Sequence, residues 1–192
     1  MNRTRVLKGA VAGVIGGLAG TWAMNHFQAW WSRAVHGTEP MSAAGRHDAR
    51  DWQELAEGQN SNELAAQAVA EHTLGRPLDR RELKVGAAAI HFAFGAAMGG
   101  LYGAFYEVSP ATRQMGGAAF GTAVWAAADE VAMPALGLSG PTTEHPPERH
   151  VHAFASHIVF GVTTEIVRRG VRGLLNGRGR SGSRGRRDAE GR

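Results

Sequence analysis

The chain alternates between long apolar blocks and polar connections. Apolar residues dominate positions 6–31, 85–106, 115–138 and 151–167, and the segments between and after them are polar. An apolar stretch of about 20 residues is long enough to cross the hydrocarbon core of a bilayer as a helix. The pattern therefore predicts an all-α fold, an integral membrane four-helix bundle with spans at 6–31, 85–106, 115–138 and 151–167 inside a membrane domain of residues 1–175. Loop 32–84 is hydrophilic, with seven basic and nine acidic residues, and lies outside the membrane in this reading. It carries one short helix over 62–74, capped by Asn62 and ended by Gly75, with a thin apolar face of Leu64, Ala65 and Ala68. Residues 176–192 are rich in Gly, Ser and Arg and read as a disordered basic tail.

Glycine changes the picture first. There are 27 glycines, many of them inside the apolar blocks. In a soluble helix each would be costly, whereas in a membrane helix small residues let backbones approach. Gly9, Gly13, Gly16 and Gly20 fall in one narrow stripe at ~100° per residue and form a packing face. Gly95 and Gly99 make a small-xxx-small pair in the second span. Gly117 and Gly121 lead a stripe in the third, and Gly161 lies on a face of the fourth with His157, Thr164 and Arg168.

Polar residues inside the apolar blocks supply the candidate chemistry. Asp129 and Glu130 stand side by side in the third block, with Pro134 one turn later. Acids within a span are expensive and mark functional sites. Pro134 has no amide hydrogen, so the Glu130 carbonyl loses its helical partner. With spans of alternating direction, His91, His157, Asp129 and Glu130 reach one layer in the outer half, and Asn25 and His26 sit at a similar level. Two imidazoles and two carboxylates suit a divalent metal or a proton relay, and histidine titrates in the mildly acid range. The competing reading is structural: intramembrane His, Asn and Thr also serve as hydrogen-bonding glue. Asn25, His26, Glu107, Thr164 and Glu165 form the second tier of polar candidates. Glu107, Glu165, Arg168 and Arg169 read as setters of helix ends, and Arg168, Arg169 and Arg172 as basic residues facing lipid headgroups.

Charge orients the spans. The N-terminal segment carries three basic residues, the 107–113 turn one, and positions from Arg168 onward nine, against eight in the other two loops. The bias places both termini in the cytoplasm. The rival reading of the first block is a cleaved secretory signal around Thr21-Trp22-Ala23, but the apolar run continues through Trp30 and Trp31, which favours a retained helix. Cysteine is absent, which excludes disulfides, thiolate metal sites and thiol nucleophiles. No metalloprotease, nucleophile-elbow or phosphate-loop motif is present, so the sequence points to no enzyme. The basic tail suits anionic lipid better than nucleic acid, because no aromatic residues interleave its arginines.

The segments HFAFGAAMGGLYGAFYE, DEVAMPALGL and HAFASHIVFGVTTEIVRR resemble the YagU-like family of small bacterial inner-membrane proteins, a family without an established function. The resemblance covers about 85–175 and rests on His91, Gly95, Glu107, Pro134, His157, Glu165 and Arg168. It implies a bacterial inner-membrane protein of several helices and no catalytic residues. Two functions are then expected. One is ion or proton handling, or acid response, through His91, Asp129, Glu130 and His157. The other is a non-catalytic scaffold whose glycine stripes bind a second copy or a partner membrane helix.

Overall fold

A computed structural model describes residues 2–36, 61–132, 135–136 and 147–190, with side chains of the last helix described as far as Asn176. Among the described residues the protein is all-α. It comprises α1 (Arg3–His36), α2 (Ser61–Leu74), α3 (Arg80–Val108), α4 (Pro110–Trp125), a π-helical segment (Ala126–Ala132) and α5 (Pro147–Glu190). Two helices, α1 and α3, are long and apolar enough to cross a membrane. The other two expected spans fall on α4 with its π-helical extension and on α5. α4 ends after 16 residues, and α5 threads Ser156, His157, Thr164 and Glu165 through its apolar stretch. Pro134 lies outside the described residues.

Local sequence explains the boundaries. Asp79 caps α3 by accepting from the amides of Arg81 and Glu82, while Glu82 accepts from the Asp79 amide, a reciprocal capping box. Arg76 donates twice to Glu82, at 2.8 and 2.7 Å. These bonds and the Asp79 amide hold the Glu82 carboxyl down at about 2. Ser109 caps α4, with Pro110 next, where a missing amide hydrogen costs nothing. Gly116 interrupts α4 at φ 70 and ψ 172, a conformation open essentially to glycine alone. Arg113 donates to the Tyr106 and Glu107 carbonyls at 2.9 Å each and so closes the C-terminus of α3. Gly75, at φ 67, ends α2. The buried face of α2 is Ala66 and Ala70, not the predicted Leu64, Ala65 and Ala68, and Ala68 is exposed. Small side chains are selected because α2 docks on α3, where Ala66 meets Gly86. The α5 backbone continues as helix to Glu190, through the tail whose composition predicts disorder; extending an existing helix avoids the cost of nucleating one.

Glycine decides which helices are neighbours. α1 packs along both α3 and α5, and α5 along both α1 and α4. The consecutive helices α3 and α4, although joined by a short turn, touch far less. The predicted α1 stripe is divided between two partners. Gly9 and Gly13, joined by Gly17, meet the backbone of Gly103, Gly99 and Gly95 on α3, whereas Gly16 and Gly20 meet Thr164 and Phe160 on α5. Gly117 and Gly121 meet Gly161 and His157 across the α4–α5 contact. At each of the nine predicted packing glycines a Cβ would fall under 3.0 Å from an atom of a neighbouring helix. Between these seams sits a small core of Met24, Tyr102, Phe120, Val124 and Phe160, with Tyr102 and Phe120 stacked at 4.2 Å.

Candidate functional site

Polar side chains gather at the two ends of this core. At one end, the π-helical segment places Asp129 and Glu130 against α5. The Asp129 carboxylate lies 3.6 Å from His157 Nδ1, and the Glu130 carboxylate 3.0 Å from His150 Nδ1. Adjacent acids on a helix diverge by ~100°, and here they engage two histidines seven residues apart. That spacing is two helical turns, ~10 Å along one face of α5. A π turn closes i→i+5 bonds and is recurrent at functional sites. His157 Nδ1 also lies 2.9 Å from the Ala153 carbonyl. A carbonyl only accepts, so Nδ1 carries the hydrogen and Nε2 is the nitrogen left to take up a proton.

His91 joins this end from α3. Its Nδ1 lies 3.4 Å from the Asn62 amide of α2, and the ring stands within electrostatic reach of His157. His26 does not join it. The ring is exposed, its Nδ1 faces the Trp22 carbonyl at 2.8 Å, and it packs on the Trp22 ring at 4.0 Å. Asn25 is half-buried beside it on α1. Among the described residues no three His, Asp or Glu side chains form a group that could hold a metal ion. The arrangement is two separate acid–histidine pairs, each one ligand short of the three that catalytic zinc sites draw from the protein.

The other end is an ion-pair network that joins three helices. Arg168 is 2 % exposed and donates to Glu165 through Nε at 2.6 Å and Nη2 at 2.9 Å. Arg169 is the third donor to Glu165. The Arg168 guanidinium lies over the Tyr106 ring, 3.6 Å from its centroid, and 5.6 Å from that of Tyr102. Glu107 accepts from Arg172 at 2.6 Å and from Arg5 at 3.4 Å, which ties α3 to α5 and α1. Thr164 is wholly buried against Gly20. The sequence reading of Arg168 and Arg172 as lipid-facing is corrected here. Both are turned inward by carboxylate partners, Arg168 through two bonds to Glu165 and Arg172 through one to Glu107, since a buried guanidinium needs an anionic acceptor. Arg169 is the one of the three whose side chain is mostly exposed, at 62 %.

A family described as "Protein of unknown function (DUF1440)" matches residues 67–166. The chain belongs to the DUF1440 family. No curated protein and no solved structure matches it. The DUF1440 region contains His91, Tyr102, Tyr106, Glu107, Asp129, Glu130, His150, His157 and Glu165, and so holds both acid–histidine pairs and both carboxylates of the ion-pair end. Arg168 and Arg172 fall just beyond it. Sequence reasoning missed His150, whose i, i+7 relation to His157 was the available signal. It also missed Tyr106, which stands one turn from Tyr102 on α3.

Proposed function

We propose that this DUF1440 protein is an integral membrane protein whose four long helical segments cross a bilayer, and that its two acid–histidine pairs form a proton-handling, acid-responsive layer. Its distribution of side chains supports the first part. Leu7, Trp22, Val85, Phe105, Val131 and Ile166 are each more than half exposed, while much of the interior around the small aromatic core is glycine, alanine, threonine, serine and ion pairs. Large apolar groups outside and small or polar groups inside is the arrangement that lipid favours. The basic residues at the ion-pair end support an orientation with both termini cytoplasmic, and the resemblance to the YagU-like proteins supports a bacterial inner membrane. The bilayer is the partner in this reading, and the protein is not an enzyme.

The observation that carries the second part is the paired contact of Asp129 with His157 and Glu130 with His150. Protonating the imidazoles turns both contacts into ion pairs, and protonating the carboxylates dissolves them. Either event changes how the π-helical segment is held on α5. The test is hydrogen exchange of the 126–132 backbone in nanodiscs at pH 7 and pH 5. Wild type changes protection between the two, Asp129→Asn with Glu130→Gln does not, and His26→Ala behaves as wild type. Equal protection at both pH values in the wild type rejects the acid-responsive reading. The scaffold reading is weaker because the glycine stripes it would use are occupied by helices of the same chain.

A further inference from the structure

An open cavity of about 270 Å³ lies where α1 begins and α3 ends, lined by Asn2, Arg5, Val6, Glu107 and Val108. It sits at the ion-pair end and is distinct from the acid–histidine layer. Its lining carries one cation and one anion. Arg5 is largely exposed and reaches Glu107 only at 3.4 Å, whereas Glu107 is 8 % exposed and is fixed from behind by Arg172 at 2.6 Å. Arg172 thus positions the carboxylate, and Arg5 remains the adjustable member. Asn2 caps the first turn of α1 by accepting from the Thr4 amide, and the positive end of the α1 dipole points the same way.

We propose that this cavity binds a zwitterionic phospholipid headgroup in which a phosphodiester is joined by two carbons to a primary ammonium. The phosphate meets Arg5 at the start of α1, where guanidinium and helix end both favour an anion. The ammonium donates to Glu107, which no phosphate oxygen can approach without repulsion. One fixed carboxylate and one swinging guanidinium complement a ligand that carries both charges. A purely anionic headgroup leaves Glu107 opposed, and a quaternary ammonium has no hydrogen to donate to it. Val6 and Val108 give the cavity its apolar walls. Leu7 and Val11 on α1, and Leu101 and Phe105 on α3, are exposed along the same two helices and offer surface for acyl chains.

The inference rests on the bilayer placement proposed above and not on the acid-responsive layer. The experiment is native mass spectrometry of the full chain in detergent, with phosphatidylethanolamine, phosphatidylglycerol and phosphatidylcholine added in turn. One phosphatidylethanolamine is expected to stay bound, about tenfold tighter than either other lipid. Glu107→Gln is expected to abolish the preference, whereas Arg5→Ala, whose side chain is largely exposed and which should keep the fold, is expected to weaken retention of all three lipids. Arg81→Ala, at the far end of α3, should keep the preference. Equal retention of the three lipids by the wild type, undiminished selectivity in Glu107→Gln, or undiminished retention in Arg5→Ala overturns the proposal. Binding of soluble O-phosphoethanolamine as tightly as the lipid also overturns it, by assigning the cavity to a water-soluble ligand. A chain that leaves the membrane fraction without detergent refutes the bilayer placement itself, a failure separable from loss of headgroup selectivity.

Discussion

The Arg168 guanidinium lies over the Tyr106 ring, 3.6 Å from its centroid, while donating twice to Glu165 on its own helix. Four helices converge there. Gly16 of α1 abuts the Arg168 backbone, Tyr106 belongs to α3, and the Glu165 Cβ abuts Gly117 of α4. Arg168 is nearly inaccessible, so its charge is balanced by the protein rather than by water.

Breaking that pair should be the most damaging single change in the bundle. Glu165→Gln leaves the buried Arg168 charge uncompensated, a loss of about 3–5 kcal/mol, whereas Arg168→Met leaves Glu165 with Arg169 as its remaining cation and should cost less. The double variant Glu165→Gln with Arg168→Met removes both charges and should recover most of that loss. Reversible unfolding in mixed micelles measures all three. A double variant less stable than either single one would show that the pair is not the source of the effect.

Tyr106 should matter through its ring rather than its hydroxyl. Tyr106→Phe keeps a face for the guanidinium and should be near neutral, whereas Tyr106→Leu loses a desolvated cation–π contact of about 2 kcal/mol. Thermal unfolding of the two variants separates them. Similar losses in both would assign the role to the hydroxyl.

Glycine substitutions should split by position. At Gly13 a Cβ collides with the Gly99 backbone, so Gly13→Ala must separate α1 from α3 and destabilise the protein. At Gly173 nothing lies within 4 Å. There Gly173→Ala should stabilise α5 by about 0.5–1 kcal/mol through lost backbone freedom in the unfolded chain. Melting temperatures moving in opposite directions are the expected result.

The two acid–histidine pairs should act independently. Double-mutant cycles within Asp129/His157 and within Glu130/His150 should give coupling of about 0.5 kcal/mol or more. The crossed cycle Asp129/His150 should give less, since the two side chains belong to different contacts. Strong crossed coupling would mean that the four groups titrate as one cluster.

The Arg76–Glu82 pair gives a pH dependence of known sign. Glu82 titrates at about 2 in the folded chain, below its ordinary 4.5, because Arg76 and the Asp79 amide hold its charged form. Its contribution is therefore complete above pH ~4.5 and is lost as pH falls through about 2. Arg76→Ala should move the Glu82 carboxyl back toward its ordinary value. A carboxyl chemical-shift titration reads that directly, and an unmoved midpoint would contradict the assignment.

The sequence by itself determined the helical blocks, the short helix before α3 and the importance of glycine, because periodicity and composition are local properties. It also marked Asp129, Glu130 and His157, because acids and imidazoles stand out in an apolar run. It could not say that one α1 stripe serves two partners, since Gly9 and Gly16 differ only by a few tens of degrees around the helix. It ranked His157 above His26 but could not show that His157 meets an acid while His26 turns to its own helix. Nor could it see that Arg168 points inward, because a basic residue at the end of an apolar block looks the same whether it faces headgroups or a buried carboxylate. Those outcomes depend on which helices become neighbours. Tertiary structure settles that through backbone approach at glycine seams and through the need of each buried charge for a partner.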